Sequence, residues 1–199
     1  MFSVNLDEAL GLRRDGRVGK AHQVLGVSSA LCSRLTVPLN NLLRSMLLHA
    51  RHFGIAPHLA SLDPRNFQSP RSQRVARFNS VFSKVLFTRR SQFVHKISML
   101  TELVDELAAN FLASSEEILA GDSLDSDNHW EALDAAHYDL NTCLRETAIL
   151  FKSFLHALPE SQFQEFLAVF QERTACAEGF YPAEARYLDH RRMAAIKGQ

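Results

Sequence analysis

The sequence predicts an all-α protein, a single domain built as a bundle of about four long amphipathic helices with shorter helices near its N- and C-terminal ends. Three observations predict it. Apolar residues recur in steps of three and four along most of the 199 residues, which is the repeat of one helix face. No alternating run of β-branched residues competes with that pattern. The 14 phenylalanines fall largely on these stripes, where aromatic side chains supply core volume more readily than a cofactor pocket.

Each element follows from the residues in turn. Residues 1–26 predict a short helical hairpin, two amphipathic pieces joined around Gly16. The spacing Ala9, Leu12, Gly16, Ala21, Leu25 occurs once, whereas helical repeats stabilise one another in stacks of about three, so the hairpin is not read as a repeat array. Residues 28–175 predict the bundle core. Its first helix carries Leu35, Leu39, Leu42, Met46, His49 and Phe53 on one stripe. Gly54 stands where a C-terminal cap belongs, and Pro38 marks either a kink or the true start. Residues 54–68 form a connector with two prolines. Ser69-Pro70 opens the next helix, whose stripe runs through Phe82, Phe93, Ile97, Leu100, Val104, Leu107 and Phe111 to about Gly121, with a break expected near residues 87–91. Asn128 with Glu131 has the form of a capping box, followed by the stripe Trp130, Leu133, His137, Leu140, Leu144, Thr147, Phe151, Leu155 and Leu158. Pro159-Glu160 restarts a shorter helix through Phe163, Phe166, Leu167 and Phe170, and residues 176–199 are read as a partly ordered tail.

Charge order is the best lead to function. Net charge is zero, but residues 16–101 hold thirteen Lys and Arg and one acid, Asp63, while residues 102–189 hold eighteen acids and four Lys and Arg. Such asymmetry points either to a partner surface or to two complementary halves of one fold. Arg74, Arg77, Lys84 and Arg90 are the candidate anion or partner surface. The stretch 65–96 is the segment through which nucleic acid or another polyanion would bind. Arg89 falls inside the apolar stripe, so its guanidinium is expected to be partly buried against an acid of the helix opening near Asn128, Asp139 or Glu146.

Catalytic motifs are not evident. GRVGK at residues 16–20 lacks the spacing of a phosphate loop, is followed by Ala21 and follows no strand. Cys32, Cys143 and Cys176 are odd in number and widely spaced, which reads as reduced thiols in a cytoplasmic protein. No secretory signal and no spanning apolar run is present, so no membrane partner is expected. His49 with His52, and Asp134 with His137, each lie one turn apart and form an incomplete version of a metal-binding bundle pattern, which normally uses Glu-x-x-His pairs. The reading is therefore a non-enzymatic cytoplasmic interaction or regulatory module without a cofactor, engaging a protein partner or a second copy. Polyanion binding and a metal- or cofactor-binding bundle around His49, Asp134 and His137 are the alternatives.

Overall fold

A computed structural model describes residues 4–55, 89–121 and 127–174. These form five helices and no strand: α1 (Asp7–Arg14), α2 (Val18–Phe53), α3 (Arg89–Ala120), α4 (Asp127–Ala157) and α5 (Glu160–Thr174). The protein is all-α, with one long helix and others of more moderate length.

The N-terminal hairpin forms as its residues dictate. Asp7 and Glu8 occupy the first turn of α1 and Arg13 and Arg14 the last, each sign at the helix end whose dipole favours it. Asn5 Oδ1 accepts the Asp7 N–H at 3.0 Å. At the other end Gly16, with φ of 73°, reverses the chain. The Arg17 N–H donates to Leu12 O and the Gly16 N–H to Arg13 O, the paired bonds of a Schellman cap.

The second arm of the hairpin does not stop at residue 26. It continues as one 36-residue helix through Gly26, Ser28, Ser29 and Pro38 to Phe53. Hydroxyl side chains along it find partners. Thr36 Oγ1 donates back to Cys32 O and Ser45 Oγ to Asn41 O, while Ser28 Oγ reaches outside the helix to Asn5 O. Pro38 is buried inside the helix, where tertiary packing outweighs its missing donor. Gly54 ends the helix in the left-handed region, its N–H bonded to Ala50 O at 3.1 Å.

Helix α2 is the spine, contacting α1, α3 and α5, and α3 packs in turn on α4. The stripes read from sequence are the buried faces. Leu39, Leu42 and Met46 of α2, Phe93, Ile97, Leu100, Val104, Leu107 and Phe111 of α3, and Trp130, Leu133, Leu140, Leu144 and Phe151 of α4 are all inaccessible. An aromatic cluster locks one end. Phe93 stacks on Phe154 at 5.7 Å, and Phe166 meets Phe154 edge-on at 5.0 Å. Helix α4 begins at Asp127, one residue before the capping Asn128 read from sequence. The connector 54–68 lies outside the described residues from residue 56 onward, as does the tail 176–199; of the expected break near residues 87–91, residues 87 and 88 lie outside them and 89–91 already belong to α3.

Candidate functional site

The outer face of α2 is chemically unusual. The helix contains no Asp or Glu, and Lys20, Arg34 and Arg44 stand on its exposed side. Val27, Leu31 and Val37 lie between them and Leu48 one turn beyond Arg44, four of the seven large apolar side chains that are well exposed among the described residues. Val37 and Val27 are the most open, at 65 % and 62 %. On a 3.6-residue repeat Lys20, Val27, Leu31 and Arg34 cluster within about 60° of one another and Val37, Arg44 and Leu48 within about 40°, the second cluster turned roughly 90° from the first and further from the Leu39, Leu42 and Met46 stripe. The acids of the later helices behave differently. Glu102, Asp105, Glu116, Glu117, Glu131 and Asp134 are exposed along α3 and α4, and Asp105 accepts a hydrogen bond from Asn40 Nδ2.

A second polar feature lies between α3 and α4. Lys96 is 3 % exposed, and its Nζ lies 3.4 Å from Glu146 Oε2. Burial holds the Lys96 ammonium below the ordinary lysine range, while the Glu146 carboxylate draws it back up by charge and by hydrogen bonding. On α4, Asp139 and Cys143 are fully buried near Glu146. Burial pushes the Cys143 thiol far up, with Glu146 and Asp139 adding to it, and burial pushes Cys32 up to about 11. Neither thiol is a nucleophile in this state, because the thiolate is the reactive form.

The residues singled out in the sequence are distributed as follows. His49 is buried, its Nδ1 lies 3.2 Å from Ser45 O, and its ring meets Phe166 edge-on at 5.1 Å. His52 is exposed and packs its ring on Phe53. His137 is half-buried, and its Nε2 lies 2.9 Å from Val4 O, while Asp134 is exposed. Among the described residues no group of three or more His, Cys, Asp or Glu is placed to hold a metal ion. Arg74, Arg77 and Lys84 lie outside the described residues, as do the side chains of Arg89 and Arg90. Of the two acids expected opposite Arg89, Glu146 faces Lys96, two turns further along α3.

Sequence reasoning missed a polar clasp at the N-terminal segment. The Val4 N–H donates to Asn141 Oδ1 and Asn141 Nδ2–H donates to Val4 O, both at 2.9 Å. His137 Nε2 closes on the same carbonyl. These partners are more than 130 residues apart in the chain, so no periodicity could have paired them. The one available signal was a His and an Asn spaced four apart on the edge of the α4 stripe.

No helix among the described residues is long and apolar enough to cross a membrane. No protein-family model, no curated protein and no solved structure matches this chain.

Proposed function

We propose that the chain is a helical-bundle interaction module, non-enzymatic and cytoplasmic, that docks a partner protein on the outer face of α2. The observation that carries this reading is the combination on the exposed side of one helix of Val27, Leu31, Val37 and Leu48 with Lys20, Arg34 and Arg44 and with no acid. Exposed apolar side chains gain from being covered, and an unmixed positive frame selects a partner of opposite sign. The matching surface is an amphipathic helix with leucine-type residues along its seam and Glu or Asp on its flanks, laid along α2. Paired bases and acids at such an edge fix orientation and partner choice more than they add affinity.

Polyanion binding through segment 65–96 is the second reading, supported by the thirteen-to-one excess of bases over acids in residues 16–101. A phosphate lattice calls for Lys and Arg and gains little from interleaved valines and leucines, which favours a protein partner for α2. Fluorescence anisotropy against generic DNA and RNA at two salt concentrations separates the two. The interaction reading expects no binding below about 10 µM at physiological salt. Tight, salt-steep binding that is lost when Arg74, Arg77 and Lys84 become Glu would replace it with the polyanion reading.

A further inference from the structure

The N-terminal segment lies across the bundle as a ligand lies in a site. Val4 and Leu6 point inward and are 2 % and 0 % exposed, while Asn5 between them faces outward. The main chain is held as well as the two buried side chains. Asn141 engages both the N–H and the carbonyl of Val4, His137 Nε2 lies 2.9 Å from the same carbonyl, and Ser28 Oγ donates to Asn5 O at 2.6 Å. The Val4 N–H fixes which way the Asn141 amide points. Val4 O then faces Asn141 Nδ2 and His137 Nε2, which are themselves 2.8 Å apart, so the imidazole either donates to Val4 O or accepts the second Nδ2 hydrogen, and the Asn141 pair holds Val4 in both tautomers.

The fit at Val4 is incomplete. A small apolar void lies there, lined by Val4 with Cys32, Leu35 and Leu39 of α2, Val104 of α3 and Leu144 of α4. Valine leaves this pocket underfilled, and a longer aliphatic side chain would enter it. One link between α1 and α4 is exposed: Arg13 pairs with Asp127, whose side chain is 84 % exposed, and its guanidinium lies 5.2 Å from the centre of the Trp130 ring.

The geometry points to a peptide-recognition site between α2 and α4: it takes an extended segment of the pattern large aliphatic, any residue, leucine, and residues 4–6 of the chain itself occupy it in cis. A segment of another protein with leucine or isoleucine at the first position makes every main-chain bond that Val4 makes and fills the void that valine leaves. The cis segment competes through its high effective concentration, so binding in trans is gated by release of the N-terminal strap. This site is independent of the outer face of α2, and either could fail without the other.

The test uses the full chain carrying Val4→Asp and Leu6→Asp, which vacates the groove, and fluorescein-labelled peptides of residues 2–8. The vacated chain binds the native-sequence peptide, and a peptide with leucine in place of Val4 binds about ten-fold tighter, as an added methylene in an apolar pocket gives. Adding Asn141→Leu abolishes both, and the unaltered chain binds the leucine peptide at least about ten-fold more weakly than the vacated one. A vacated chain that keeps its helical circular dichroism and binds neither peptide would overturn the proposal, as would binding indifferent to Asn141. Amide hydrogen exchange on the unaltered chain decides the matter if the vacated chain does not fold. The Val4 and Leu6 amides then exchange about a hundred-fold faster than the α3 and α4 core, because the strap opens by itself. Exchange at the core rate would show that the strap is no separable ligand.

Discussion

Lys96 and Glu146 show how unequal the two halves of one ion pair can be. The ammonium is almost wholly removed from water, whereas the Glu146 side chain keeps 19 % of its exposure. Desolvation outweighs the attraction at Lys96, because burial is the largest influence on its titration and acts to lower it. Removing each partner should therefore have different consequences. Glu146→Ala takes the carboxylate from a buried charge and is expected to cost about 2 kcal/mol, less than a fully buried pair because water reaches the glutamate. Lys96→Met replaces the charge with a flexible apolar chain of similar length and should stay within about 1 kcal/mol of the parent. The pH dependence follows from the direction of the shift. With the folded value below the ordinary 10.5, the unfolded chain binds more protons between those two points, so Lys96 makes the fold gain stability as pH rises through that window. Chemical denaturation of both variants at neutral and alkaline pH checks this, and the alkaline gain should be missing in Lys96→Met. Sequence reasoning placed a buried base on this helix at Arg89, seven residues before Lys96 and so at the same position of the repeat. Periodicity fixes the seam, but it does not say which base on the seam meets Glu146.

At the scale of elements, the stripes were the legible part, because a helix shows its buried face directly in the spacing of its apolar residues. Boundaries were legible where backbone geometry demands a residue. Gly16 and Gly54 both hold positive φ and both end helices. They were illegible where a polar or imino residue has its partner elsewhere. Ser28 and Pro38 resemble interruptions, yet α2 runs through them because the N-terminal strap satisfies the first and core packing holds the second. Gly54 offers a clean test of this distinction. A Cβ there meets nothing within 4 Å, so a substitution probes backbone conformation alone. Gly54→Ala should destabilise by about 1 kcal/mol and Gly54→Asn by less, measured as the shift in denaturation midpoint.

At the scale of the molecule, the sign split visible in the sequence survives folding in one place that the structure describes. Helix α2 presents bases and apolar residues without acids, while acids line the exposed sides of α3 and α4. That split was legible from charge order. The apolar half of the surface was not, because Val27, Leu31, Val37 and Leu48 are the same residue types that build the core, and only their exposure sets them apart. The clasp on Val4 was hidden for a different reason, since its partners come from opposite ends of the chain. The measurement that bears most directly on α2 as a docking face is site-specific photo-crosslinking in the cells that make the protein. A photoreactive residue replaces Val37 or, as a control, the exposed Ala132 of α4. Val37 should yield a discrete protein adduct, mapped to a helical segment with acids flanking aliphatic residues, that disappears on Arg34→Glu with Arg44→Glu while the circular dichroism is unchanged. An adduct no stronger than that from Ala132, or one that persists after the charges are reversed, would contradict the account.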